Sequence, residues 1–474
     1  MMTYGFHHQE GLFWTGGEIF ETVNPARPDM VTGRYGETRL GDLDAVFAIA
    51  RKAARDWAAT PGLQRQALTE AWLDRIKEAV EPIAQAITLE MGKTIGDARG
   101  EILHSLKEAR FAVAEASRSI GEVMPSARPG LRNMTLRRPR GVIVASTPWN
   151  YPVLTPLRKL APAFAHGNAV VLKPSEVSPA AACLMAELAV GLLPFGLFQV
   201  VFGGGRVGAA LTGHSQADGV TFTGSVATGK AVYAAAAKNL AEVQLELGGK
   251  NGIVVHDADD LEACLDEVVA GALENGGQRC TGISRVLVQR KLAGAVEEGI
   301  AARMNRVVVG DGMEAGVGMG PMASEVHFRR VEAAVAAGEA EGARRVTGRS
   351  NENGPGFFIR PTLFADVTPG MALAREEVFG PVLSMLTYDS IDEALSILNG
   401  VDYGLAAALY SNRNDVVQRF VTEAQAGMLH VNHQSSIDTN MPFVGIKHSG
   451  VGAPSIGRSA INFYTTEHAV YIRS

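Results

Sequence analysis

AVVLKPSEVSPAAACLMAELAVGLLPFGLFQVVFGGGRVG occupies residues 169–208. Its apolar spacing reads as a strand, a helix and a second strand. AVVLK (169–173) is a short apolar run rich in β-branched residues, residues 178–193 read as helical, Pro194-Phe195-Gly196 makes a turn, and FQVVF (198–202) is apolar again. By length alone the run 181–202 could span a membrane. Glu187 lies inside it, however, and the turn at 194–196 cuts it in two. A buried helix, a turn and a buried strand are therefore expected. The same texture extends outward through GVIVAS (141–146), GVTFT (219–223) and VQLEL (243–247), with residues 227–237 reading as a helix. Short apolar strands alternating with helices imply an α/β fold with a parallel, doubly wound sheet covered on both faces.

A second series of the same kind begins near Asn251. GIVVH (252–256), a helix at 259–274, RVLVQ (285–289), a helix at 292–304, PVLSML (381–386), a helix near 391–398 and LAAALY (405–410) repeat the alternation. Two α/β lobes follow. Ahead of the first lie three helices. One spans 42–57 with Val46, Ile49, Ala53 and Trp57 on one face. A second carries Leu68, Trp72, Ile76 and Val80 at four-residue steps. The third spans 98–116. Residues 121–140, with Pro125, Pro129 and Pro139, fit neither alternation and suggest an extended arm. The Gly-Pro-rich stretch 351–357 reads as a loop.

The 474 residues suffice for two or three domains with real cores. A 46% apolar and 20% charged composition is that of a soluble globular protein, and a net charge of -6 suggests neither nucleic acid nor an anionic membrane as partner. Cys183, Cys264 and Cys280 are odd in number and scattered, so neither a disulfide framework nor a metal site is expected, and a reducing cytosol is. The first residues, MMTYGFHHQEGLFWTGG, have no basic region followed by an apolar stretch and do not read as a secretory signal.

Five short motifs carry chemistry. FGGGRVG (202–208) follows a strand and opens a helix, and its backbone amides, around Gly204 and Gly208, suit a phosphate. The usual dinucleotide fingerprint also wants an acid at the end of the next strand, where this chain has Thr223-Gly224-Ser225. Lys173 and Glu176 sit at a strand end, where an ammonium and a carboxylate can bind ribose hydroxyls or simply reach water. Glu246, in LELGGK, is a carboxylate on an apolar strand end, which raises its pKa and suits a general base. Asn150, in TPWNYP, offers an amide to a developing oxyanion. Cys280, in GGQRC, is either a packing residue or a nucleophile. Each motif alone has an ordinary structural explanation.

Together they do not. The ordered set TPWNYP, LKPSE, FTGS, LELGGK, GQRC, EEVFGP and PFVGIKHSG resembles the NAD(P)-dependent aldehyde dehydrogenase superfamily, with semialdehyde dehydrogenases among the similar members. The resemblance runs from about Asn24 to the C-terminus, and departs from the usual pattern at Val444, where glycine is common. It implies the aldehyde dehydrogenase fold. Residues 1–120 and 141–246 would form a Rossmann-like cofactor domain and 247–430 a catalytic domain. Residues 121–140 and 431–474 would form an oligomerisation arm and C-terminal segment, the arm meeting residues 463–472. It further implies that Cys280 attacks the aldehyde, that Asn150 and the Cys280 backbone N–H hold the oxyanion, and that Glu246 activates water to hydrolyse a thioester. The glycines before Cys280 would let the backbone pass close to the cofactor.

The cofactor implied is NAD, with NADP tolerable to Lys173. Lys173 and Glu176 would hold the adenine ribose, and Gly204, Gly208, Thr223, Gly224 and Ser225 the pyrophosphate side. Trp149, Glu377 and Phe379 would stand around the nicotinamide end. A carboxylate at Glu176 would repel a 2′-phosphate, which favours NAD. Tyr151 would wall the substrate tunnel. Arg158 and Arg279 would pair with a carboxylate on the substrate, making a carboxylated semialdehyde the first expectation, although either arginine could instead be structural. Succinic semialdehyde enzymes often carry a second arginine where this chain has Glu274. Residues 439–441 replace bulky aromatics and imply a more open or polar side. The remaining implications are a small-molecule aldehyde as the partner, no nucleic acid, membrane or metal, a homodimer or homotetramer, and a cytoplasmic location. Three rivals stay open: oxidation of a neutral aliphatic or aromatic aldehyde, a coenzyme A-acylating enzyme, and a non-catalytic binding protein.

Overall fold

In a computed structural model, residues 4–118, 121–348 and 354–473 are described. Five consecutive parallel strands form the centre of one sheet: Val142–Ser146, Ala169–Lys173, Phe198–Val201, Gly219–Gly224 and Glu242–Leu247. Their spatial order is third, second, first, fourth, fifth, with Phe13–Trp14 added beside the third and Gly450–Gly452 antiparallel beside the fifth. The first three of these five strands have every residue buried. That explains their mostly apolar sequence, since both sheet faces are covered. The chain reverses direction across the sheet between the first strand and the fourth. Open α/β sheets bind ligands beyond the carboxyl ends of strands at such a switch point. TPWN follows the first strand, and Thr223-Gly224-Ser225 ends the fourth. The FGGGRVG turn instead follows the third strand, away from the switch point, which explains the missing fingerprint acid.

A second sheet orders Arg344–Arg345, Thr362–Ala365, Val382–Tyr388, Arg285–Gln289, Gly252–Val255, Ala406–Tyr410 and Met428–Val431, with only its first strand antiparallel. The two sheets join through Gly248-Gly249-Lys250. In the arm, Leu131–Pro139 pairs antiparallel with Thr465–Arg473, with Val123–Met124 on its other side. The segment 431–474 thus divides its contacts: Gly450–Gly452 closes the first sheet and Thr465–Arg473 joins the arm.

Buried tryptophans lock the leading helices to the first sheet. Trp57 Nε1 donates to Phe164 O at 2.8 Å and Trp72 Nε1 to Met185 O at 2.9 Å. Each buried ring contributes about 2 kcal/mol of apolar burial, with its one polar atom satisfied. The four-step repeat from Leu68 to Val80 does not form one helix. It splits at Ala79 into Gly62–Glu78 and Val80–Met91, because Pro82 has no N–H to give the preceding turn and its ring clashes there. The helix predicted at 178–193 is regular only over Ala180–Glu187, and Gly191 at φ 78 turns the chain toward Pro194. Part of the loop predicted at 351–357 lies outside the described residues. No helix among the described residues is long and apolar enough to cross a membrane.

Candidate active site

Cys280 sits on a loop that leaves the helix Leu261–Leu273 by a left-handed route. Asn275, Gly276 and Gly277 have φ of 55°, 64° and 70°. Such a conformation costs roughly 1–2 kcal/mol for a non-glycine residue, and Asn275 is held in it by its own side chain. Its Nδ2 donates to Asn150 O at 3.0 Å and to Gln278 O at 3.2 Å. Gln278 is clamped in turn, donating to Pro321 O at 3.3 Å and accepting from Ala323 N at 2.9 Å. Beyond the cysteine, Asn251 Nδ2 holds Cys280 O at 2.7 Å and Gly282 O at 2.9 Å. Asn150 Nδ2 donates one hydrogen to Gln278 O at 2.8 Å, which sets the amide two residues from Cys280 with its second hydrogen free.

Gly277 also serves packing here. A Cβ on Gly277 would lie 2.2 Å from Gly380 O, in the EEVFGP loop. Gly277→Ala is therefore expected to push the cysteine loop off the EEVFGP backbone and lower turnover by about 10²-fold or more, with a measurable loss of melting temperature. Wild-type kinetics from this variant would contradict the close packing.

Glu246, at the end of Glu242–Leu247, is 5% exposed, and its Oε2 is buried without a hydrogen-bond partner. Burial raises its pKa above the ordinary carboxylate range. The Lys159 ammonium partly opposes that shift, and burial lowers the pKa of Lys159 itself. Lys159 Nζ is fixed by Thr221 Oγ1 at 2.7 Å. Cys280 is likewise pushed up by burial, to about 11, against the pull of Arg158 and Arg279.

These groups share one cavity of about 970 Å³. Cys280, Asn150 and Glu246 line it, as do Trp149, Tyr151, Arg158, Arg279, Glu176, Thr223, Gly224, Ser225, Glu377 and Phe379. Lys173, Gly204 and Gly208 stand behind that wall. Lys173 Nζ lies 3.6 Å from Glu176 Oε2 and donates to Gly203 O at 2.7 Å. Gly208 packs beside the lysine stem, where a Cβ would make an ordinary contact at 3.5 Å. Ser225 caps the helix Val226–Ala237, whose N-terminal amides face the same opening. The half-exposed carboxylate of Glu176 and the partly buried carboxylate of Glu377 can accept ribose hydroxyls, and the helix N-terminus can donate to the phosphates, so the site fits a dinucleotide. Glu377 accepts Gly249 N–H at 2.9 Å, in a cradle that a Cβ on Gly248 would fill at 2.2 Å. Burial raises Glu377 to about 7.

The sequence reading missed His327. Its ring packs 5.1 Å from Trp149 and 5.9 Å from Phe379, and Nε2 lies 2.7 Å from Phe379 O. Burial lowers its pKa to about 4, so the ring is neutral. This contact holds Phe379 at a φ of 60°. The side predicted at 439–441 to face substrate is instead walled by Gln434, Ile437 and Phe443, and Met441 points to solvent. Arg158 and Arg279 reach the cavity already paired, to Glu108 and Glu274 respectively. Among the described residues, no cluster of three or more His, Cys, Asp or Glu side chains is placed to hold a metal ion.

The chain matches the aldehyde dehydrogenase family over residues 14–470. It is 37% identical over 458 residues to a betaine aldehyde dehydrogenase of Cereibacter sphaeroides, covering 96% of this chain and 94% of that protein. It is 34% identical over 464 residues to the alpha-ketoglutaric semialdehyde dehydrogenase of Bacillus subtilis, covering 96% and 95%. Its fold superposes on the NAD-dependent aldehyde dehydrogenase of Sinorhizobium meliloti with a TM-score of 0.96 at 32% identity, covering 100% and 95% of the two chains. With its cysteine, carboxylate and amide lining one cavity, the chain belongs to the aldehyde dehydrogenase family.

Proposed function

We propose that this protein oxidises an aldehyde to the free carboxylic acid, with NAD as electron acceptor, through a covalent adduct on Cys280. The observation that carries this reading is the meeting of Cys280, Asn150 and the unpartnered Glu246 Oε2 on one cavity wall. Cys280 gives up its thiol proton to water in the cavity, the thiolate adds to the aldehyde carbon, and the free amide hydrogen of Asn150 holds the oxyanion that forms. Glu176 and Ser225 would bind the adenosine and pyrophosphate side of the dinucleotide, and Glu377, Phe379 and Trp149 the nicotinamide end. Bound there, the nicotinamide supplies a two-electron acceptor for the hydride on the sulfur-bearing carbon, leaving a thioester. Glu246 then takes a proton from a water that attacks the thioester carbon, and the thiolate leaves as the acid forms. The exposed carboxylate of Glu176 favours NAD over NADP. The three free thiols fit a reducing cytoplasm, and the arm sheet fits assembly into a homodimer or homotetramer.

The carboxylated semialdehyde predicted from Arg158 and Arg279 is weakened by their pairing, and the reaction does not require it. The test is reduced-nicotinamide formation over a panel of aldehydes, with acid quantified as product, in the presence and absence of coenzyme A. Equimolar acid and NADH support the reading. Acyl-CoA as the product overturns it in favour of an acylating enzyme, and NAD binding without turnover across the panel overturns it in favour of a binding protein.

A further inference from the structure

Helices Ile95–Glu115 and Leu154–Ala165 form the end of the cavity where the far end of a substrate would lie. Of the cations that line this end, Arg158, Arg279 and Lys93 are paired with carboxylates and His104 bonds Glu108, while Lys159 on the second helix donates to Thr221 Oγ1 at 2.7 Å and has no ion-pair partner among the described residues. Arg158 Nε donates to Glu108 Oε2 at 2.6 Å and Nη2 to Glu108 Oε1 at 2.8 Å, a bidentate pair in which the carboxylate side chain is 1% exposed. The face of the guanidinium lies 4.7 Å from the Phe443 ring centroid. His104 Nε2, one helical turn from Glu108, sits 2.9 Å from Oε1. The guanidinium and His104 hold Glu108 well below the ordinary carboxylate range, so it stays charged at any working pH. Arg279 is tied to Glu274 and to Ser435 O, and Lys93 to Glu101 at 2.6 Å. Glu101 is further occupied in accepting the Val153 and Leu154 amides, at 2.8 and 3.0 Å. Asp97 is exposed, lines the cavity and has no ion-pair partner among the described residues.

We infer that Glu108 is a specificity-determining residue: by holding the Arg158 guanidinium, it denies the substrate an anion anchor and selects aldehydes whose far end carries no carboxylate. The inference rests on the reaction proposed above and adds its substrate class. Arg158 without Glu108 would be a buried, rigid, bidentate anion site. With Glu108 it is a neutral pair whose two best-aligned N–H groups are spent. A second carboxylate brought to it would meet the Glu108 charge at close range in a poorly screened wall. What the pair leaves open to a neutral substrate is the apolar ring of Phe443, the Tyr151 ring and the remaining guanidinium hydrogens.

The experiment compares neutral aldehydes with ω-carboxylated analogues of equal length, in wild type and in Glu108→Gln. The glutamine keeps the shape and one acceptor while uncovering the arginine charge. The wild type is expected to prefer the neutral member of each pair. In Glu108→Gln the ratio of kcat/KM, carboxylated over neutral, is expected to rise by about tenfold or more. The change should lie mainly in KM, a split that a merely structural role would not produce. A wild type that prefers carboxylated aldehydes overturns the inference, as does an active variant with an unchanged ratio. Should the variant not fold, wild-type inhibition decides. A dicarboxylate is expected to compete with substrate more weakly than its monoamide, and the opposite order overturns the inference. A protein that oxidises no aldehyde at all would sink the proposed reaction instead, so the two failures are distinguishable.

Discussion

Replacing Cys280 by alanine is expected to lower aldehyde oxidation by about 10⁴-fold or more while leaving the fold standing. That fall corresponds to roughly 5 kcal/mol or more of transition-state stabilisation. No other thiol can substitute. Cys183 and Cys264 are fully buried in the two cores, and burial raises the pKa of both. The loop itself does not depend on the sulfur. Asn275, Gln278 and Asn251 fix it through backbone atoms that alanine retains, so the melting temperature should reflect a change of about 1 kcal/mol at most. NAD binding, followed by quenching of intrinsic fluorescence, should persist, which separates loss of chemistry from loss of structure. Residual turnover above about one part in a hundred would mean that the reacting atom is not Cys280 Sγ.

What could be read in advance follows from how local each signal is. The parallel strands were legible because burial on both faces leaves runs such as 142–145 wholly apolar. Cys280, Glu246 and Asn150 stand at strand ends or in tight loops, and each carries a motif within a few residues. His327 has no such signal. Its helix, Glu325–Ala340, buries His327, Val331, Val335 and Gly338 at helical spacing, so the sequence shows a packing face and nothing that singles out the histidine. Its partner is a backbone carbonyl 52 positions away. The pairing of Arg158 with Glu108 is hidden for the same reason. An arginine eight residues beyond Asn150 looks available to a ligand until the fold brings a carboxylate from another helix against it. The break at Ala79 differs, because Pro82 was in view and the four-residue repeat of apolar side chains simply outweighed it.

Glu246→Gln is expected to stop the cycle after its first half. The amide cannot take a proton from water, so hydrolysis of the thioester should fall by about 10³-fold. Addition of Cys280 and loss of hydride do not need the carboxylate as base for water, so a burst of about one NADH per active site should precede the slow steady state. Intact-mass measurement during that slow phase should show the protein carrying the acyl group on Cys280. The pH dependence in the wild type has a definite sign. Burial raises the Glu246 pKa, so more of it is protonated and idle as pH falls, and deacylation should rise with pH until the carboxylate is fully ionised. That inflection should lie above the range of an exposed glutamate and vanish in Glu246→Gln. The result that defeats this assignment is a variant with no burst but the same steady-state rate as wild type, since water would then be activated by some other group on the cavity wall.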